Sequence, residues 1–186
     1  GGSATPPPQN LQIGPGTASP VYYQFGGFVP VTENSGDCSL IKANIYKNGQ
    51  AVPGNLWGSA AAGLSQANVP VGPQGSTYVL TNVWNCNGTS IESGASSAIS
   101  VPAGPKITSI QVKRKTVIIR GTGFRRPVQV FVNGVAFADK PRATDIEIVQ
   151  KGPFANGTTL EDVTNQQLLV TLQNADGGIA SILVAK

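Results

Sequence analysis

The side chains of this 186-residue chain whose types suit chemistry are few: Cys38 and Cys86, a run of cations from Lys106 to Arg126, scattered carboxylates, and Trp57. Histidine and methionine are absent. That removes histidine acid–base catalysis, histidine-containing zinc sites and Met-rich binding grooves, and two cysteines are too few for a Cys-rich metal cluster. The two cysteines most simply form one disulfide, which points to a secreted, periplasmic or cell-surface protein; a buried free pair in a cytosolic protein is the alternative.

The cation run comprises Lys106, Lys113, Arg114, Lys115, Arg120, Arg125 and Arg126 with no acid between them. Such a patch can hold phosphate, sulfate or carboxylate, and Lys113, Arg114, Lys115, Arg125 and Arg126 are the candidate anion ligands. Aromatics are not interleaved with it and no Asn/Arg-rich loop follows, so no specific nucleic acid is expected. A sheet edge protected by charge accounts for the same residues. Among the carboxylates, Asp145 and Glu147 read as one strand face and Glu161-Asp162 as neighbours in a loop, and neither pair spans the cleft a glycosidase needs. Glu33, Asn34 and Asp37, or Asn174 and Asp176, could offer oxygen ligands to Ca²⁺, but turn chemistry explains both groups, and neither metal nor cofactor is expected. Asn87-Gly88-Thr89 and Asn156-Gly157-Thr158 match the glycosylation sequon and are also ordinary turns. A sugar-stacking platform would draw on Trp57, Trp84, Tyr22, Tyr23 and Phe28. Core packing is the expected fate of each, and Trp57, between Leu56 and Gly58, is the first candidate for an exposed glycan contact.

The elements that must position these residues are strands. Val and Ile total 32 against 10 Leu, a β-branched excess that suits pleated surfaces. Alternating or apolar runs at 21–25, 40–46 and 78–84 are strand candidates. Lys47-Asn48-Gly49-Gln50 signals a hairpin returning through Ala51-Val52, since both central residues of a type I′ turn need positive φ. Ala60-Ala61-Ala62 lies between Gly58 and Gly63 and is too short to nucleate a helix, so it reads as strand or loop. No apolar run approaches the roughly 20 residues needed to span a bilayer, so no membrane insertion is expected.

Charge divides the chain. Residues 1–104 carry Lys42 and Lys47 against Glu33, Asp37 and Glu92, whereas residues 105–186 carry 11 Lys/Arg against 6 Asp/Glu. Val101-Pro102-Ala103-Gly104-Pro105 falls at the change and reads as a tight interdomain linker. The expected division is a tag remnant or tether over 1–10, where Gly1-Gly2-Ser3 opens without Met, and domains over 11–103 and 104–186.

Two stretches carry family resemblances. Gly72 to Leu80, then Asn85-Cys86-Asn87-Gly88 and the return to Ala98-Ile99-Ser100-Val101, resemble the E–F corner and the F and G strands of fibronectin type III or bacterial immunoglobulin-like domains. The resemblance makes Tyr78 a corner tyrosine whose ring packs in the core while its hydroxyl bonds to nearby backbone. Tyr78 lies eight residues before Cys86, not two, so a bridge from the start of a C-like strand to the end of the adjacent F strand fits better than the usual B–F bridge. Pro105 to Ile110, Thr116 to Phe124, Val128 to Val135, Leu168 to Leu172 and Asn174 to Ser181 resemble the IPT/TIG immunoglobulin-like family. There Gly121 and Gly123 would bend the chain to return Phe124 to the core, while Val128, Val130 and Val132 line one face.

The implied protein is all-β, two consecutive immunoglobulin-like β-sandwich domains, monomeric and not an enzyme. Its role would be a structural spacer or an adhesion segment of an exported bacterial protein, meeting protein or glycan at the cell surface. The alternative is a polysaccharide-binding domain pair of a secreted carbohydrate-active enzyme.

Overall fold

A computed structural model describes residues 5–16, 22–26, 34–62, 67–70 and 75–184. These residues are almost entirely strand and turn, and the strand pairings recorded between the main strands are antiparallel. They group into two compact units. Unit 1 comprises 1–14, 24–69 and 76–100; unit 2 comprises 15–23, 70–75 and 101–186. The sequence suggests one cut near residue 104, but two short N-terminal segments belong with the C-terminal unit.

The first strands are β1 (Gln12–Pro15), β2 (Tyr22–Gly26), β3 (Asn34–Ser35), β4 (Cys38–Lys47), β5 (Leu56–Ala61), β6 (Asn68–Pro70), β7 (Ser76–Cys86), β8 (Thr89–Glu92) and β9 (Ile99–Val101). In the larger sheet, β4 and β7 pair from Cys38↔Cys86 to Lys47↔Tyr78. The pairs β3 and β5 lie on β4, and β8 and β9 on β7. Strands β1, β2 and β6 form a three-stranded sheet. One face of the large sheet carries Ile45, Tyr78, Leu80 and Trp84, all fully buried, and Phe25 of β2 meets the Tyr78 ring edge-on at 5.5 Å. Burying aromatics and β-branched residues at period two is what selects strand here. The Tyr78 ring thus packs in the core, and burial, against an opposing hydrogen bond with Ser76, raises its pKa.

Asn48 and Gly49 both have positive φ, as the Asn-Gly turn requires. The return strand does not begin at Ala51. A 3-10 turn at Pro53–Asn55 intervenes and β5 starts at Leu56, because Asn55 Nδ2 donates to the Gln50 carbonyl at 3.1 Å and closes a longer loop. Ala60 and Ala61 are strand. The Pro-rich segment expected as a tether instead lies on unit 1: Pro8 is buried, and Asn82 Nδ2 donates to the Pro6 carbonyl at 3.0 Å.

Strands β10 (Lys106–Lys113), β11 (Thr116–Thr122), β12 (Gln129–Val132), β13 (Val135–Ala136), β14 (Arg142–Ala143), β15 (Glu147–Lys151), β16 (Leu168–Gln173) and β17 (Ile179–Val184) make a two-sheet sandwich in unit 2. The sheet orders are β10-β11-β15-β14 and β13-β12-β16-β17. Val117, Ile119 and Ile148 from one sheet share a core with Val128, Val130, Val132, Val170 and Leu172 on the side of the other, and Phe124 packs against it. The two glycines of β11 and its exit act differently. A Cβ on Gly121 would lie 2.0 Å from the Lys106 carbonyl oxygen, so glycine there permits close approach of β10, whereas Gly123 supplies a φ of +74°. The four-residue helix α1 (Leu160–Val163) holds Glu161 and Asp162, which the sequence placed in a loop; the Asp162 carboxylate accepts the Thr159 backbone N–H at 2.7 Å and so caps the helix.

Candidate functional site

Cys38 and Cys86 are bonded. They face each other where β4 begins and β7 ends, the cross-strand position the resemblance suggested. Buried Leu40 and Trp84 pack on the bridge.

On the other face of the same sheet, strand alternation brings Asn44 and Tyr46 of β4 beside Thr81 of β7 and Glu92 of β8. Glu92 Oε1 accepts hydrogen bonds from Tyr46, from Thr81 and, at 3.1 Å, from Asn44 Nδ2. Burial opposes ionisation of Glu92, but the bonds from Thr81, Tyr46 and Asn44 and the charge of Lys42 outweigh it and hold the carboxyl below its usual range. Tyr46 moves the other way: burial first, then Glu92, push its phenol up. Glu92 is thus ionised and Tyr46 protonated at neutral pH, so the group ties the three strands together and offers no acid or base poised near neutrality. Nothing in the sequence marks it, because its four members come from three strands.

Strand β11 separates the expected anion ligands. Lys113, Arg114 and Lys115 form the turn at one end, and Arg125 and Arg126 follow the other end, roughly 20 Å away for a strand of this length. The arginines meet carboxylates of their own unit. Arg114 pairs with Glu161 and Arg125 with Asp176; Arg120 Nε lies 3.0 Å from Glu147, and Arg126 Nη2 lies 3.4 Å from Asp145. Asp145 and Glu147 therefore serve different arginines, and Asp145 sits in the turn before β15 rather than on a strand face. Lys113 and Lys115 are exposed.

Oxygens at the Asn174-Asp176 loop are already committed. Asn174 Oδ1 accepts the Arg125 N–H at 2.9 Å and its Nδ2 donates to the Gly123 carbonyl at 3.0 Å. The Gly178 N–H bond, against a burial cost and with help from Arg125, lowers the pKa of Asp176. Among the described residues no cluster of three His, Cys, Asp or Glu could hold a metal. Glu33 and Phe28, and the Tyr22 side chain, lie outside what is described. Both sequon asparagines occupy exposed turns.

Tyr23 and Trp84 are buried. Trp57 is half-buried, at the extra position created where the β4–β5 register slips between Ile45↔Gly58 and Tyr46↔Leu56. Among the described residues it stands apart from any second exposed aromatic.

A cleft of about 510 Å³ opens in unit 2 between the start of β12, the crossing from β13 to β14, and β15. Pro127, Val128, Val130 and Phe137 give it apolar walls, and Gln150 lines it from β15. Gln150 is 1% exposed. Its Nε2 donates to the carbonyls of Asp139 and Lys151 at 3.0 and 2.8 Å, while its Oε1 has no partner in the described structure. A shallower depression of about 320 Å³ shares Asp139 and Lys140 with the cleft and adds Arg142, Val149 and Lys151. The sequence hides this site because its walls come from segments as far apart as Arg126 and Lys151, and Gln150 reads as an ordinary strand residue.

No protein-family model and no curated protein sequence matches this chain.

Proposed function

We propose that this chain is a non-enzymatic module of an exported protein, a spacer or adhesion segment built from immunoglobulin-like units of the fibronectin type III and IPT/TIG kinds. The observation that carries the reading is the Cys38–Cys86 bridge between neighbouring central strands, since such bonds persist in oxidising compartments. Two further facts support it. The arginines of the basic run are engaged in intramolecular ion pairs, and no helix among the described residues is long and apolar enough to cross a membrane.

The test presents the purified chain to insoluble cellulose, chitin and peptidoglycan, to immobilised extracellular proteins, and to chromogenic ester, glycoside and phosphate substrates. The spacer reading expects no turnover and no retention on polysaccharide; the adhesion form expects retention on a protein surface. Turnover that disappears with a single carboxylate substitution would overturn the non-enzymatic reading. Retention on a polysaccharide that is lost in Trp57→Ala would replace it with a glycan-binding module.

A further inference from the structure

The cleft in unit 2 combines three features that sequence position does not connect. Its walls are apolar, and its volume of about 510 Å³ falls within the roughly 300–1,000 Å³ of sites that enclose small ligands. Gln150, one of its lining residues, carries a buried acceptor without a donor, Oε1, and an unsatisfied acceptor of that kind is costly unless something donates to it. It runs into a depression carrying Lys140, Arg142 and Lys151, all exposed and, unlike the arginines of the basic run, without an ion-pair partner among the described residues. Asp139 is the one acid among the residues lining the two depressions.

The strands beside the cleft are short. Strand β14 is the last of its sheet and spans two residues, and β13, also two residues, is the last of the other. An edge strand presents unpaired backbone N–H and C=O groups, and strands this short offer few of them, so side-chain contacts in the cleft carry the recognition.

We propose that this cleft binds an extended acidic peptide. An apolar side chain enters between Pro127, Val130 and Phe137, a peptide N–H reaches toward Gln150 Oε1, and the following carboxylates face Lys140, Arg142 and Lys151. Charge complementarity selects this occupant: three unpaired cations beside an apolar cleft favour a carboxylate next to an apolar group. The inference goes beyond the spacer reading and does not depend on it.

The experiment titrates ¹⁵N-labelled full-length chain with the peptide acetyl-Gly-Val-Phe-Asp-Glu-amide and follows amide shifts. The expected result is saturable shifts confined to 126–130, 137–143 and 149–151. The uncharged counterpart, acetyl-Gly-Val-Phe-Asn-Gln-amide, should bind about tenfold more weakly, a loss of about 1.4 kcal/mol, as should the acidic peptide to the double variant Arg142→Ser/Lys151→Ser. Lys113→Ser/Lys115→Ser should bind like the parent. Spectral dispersion of each variant establishes that it is folded. Equal binding of both peptides, shifts scattered over the surface, or binding insensitive to Arg142 and Lys151 would overturn the proposal. So would shifts produced by laurate and by neither peptide, which would assign the cleft to small amphipathic anions. Either failure leaves the spacer reading standing.

Discussion

Removing the Cys38–Cys86 bond should cost unit 1 about 4 kcal/mol. The two cysteines are 48 residues apart, and the loop-closure entropy lost from the unfolded chain for a loop of that length is about 14 cal/mol/K. Cys38→Ala/Cys86→Ala keeps small apolar side chains against Leu40 and Trp84, so the native packing changes little and the effect falls mainly on the unfolded state. Trp57 and Trp84 are the only two tryptophans, and both belong to unit 1, so tryptophan fluorescence reports that unit. With a urea dependence of about 1–2 kcal/mol per molar for a unit this small, the fluorescence midpoint should fall by about 2–4 M. Reducing the parent protein should reproduce the fall, and intact mass after alkylation without reduction should show no free thiol. A drop below about 0.5 M would refute the reasoning, because it would mean that residual structure already holds the loop ends together in the unfolded chain.

Four other outcomes are expected. Because Glu92 is held below its usual pKa, its contribution is present above the ordinary carboxylate value of about 4.3 and lost as pH falls through the folded value. Unit 1 melts should therefore drop below about pH 4, and Glu92→Gln should flatten that acid limb; an unchanged limb would remove Glu92 from the account. Tyr46, pushed up, stabilises below about pH 10 and loses its contribution as pH rises through the folded value, which melts at alkaline pH would detect. Binding to heparin or duplex DNA should be weak, indifferent to sequence and gone at about 0.15 M salt, where screening acts over about 8 Å. Micromolar binding that persists there, and is lost when Lys113, Arg114, Arg125 and Arg126 become Ser, would contradict this. Gly121→Ala should destabilise unit 2 by about 3 kcal/mol or more, because its Cβ would meet the Lys106 carbonyl and force β10 from β11; a loss within about 0.5 kcal/mol in a chemical melt followed by circular dichroism would show that the strands can part cheaply.

Strands were legible in the sequence wherever β-branched residues alternate, as at Val128, Val130 and Val132, which line one core face. A turn was legible where Asn-Gly supplies paired positive φ, at Asn48-Gly49. The late start of β5 was not, because a side-chain bond from Asn55 to the Gln50 carbonyl decides it. Ion pairing was equally hidden: Arg125 and Asp176 are 51 positions apart, so the cation run looked unopposed until the fold brought four acids to it from three separate segments. The Glu92 network and the cleft were missed for the same reason, since period-two patterning places residues on a face but does not say which strands share it.

One hydrogen bond bears on how the protein is made. The Tyr23 hydroxyl donates to the Ile179 carbonyl at 3.1 Å across 156 positions, both within unit 2. At a synthesis rate of about 5–20 residues per second, that acceptor is translated roughly 8–30 seconds after the tyrosine. Tyr23 must therefore wait for this partner while the greater part of the chain emerges. For an exported chain, that interval is when a chaperone or the translocation machinery would hold it.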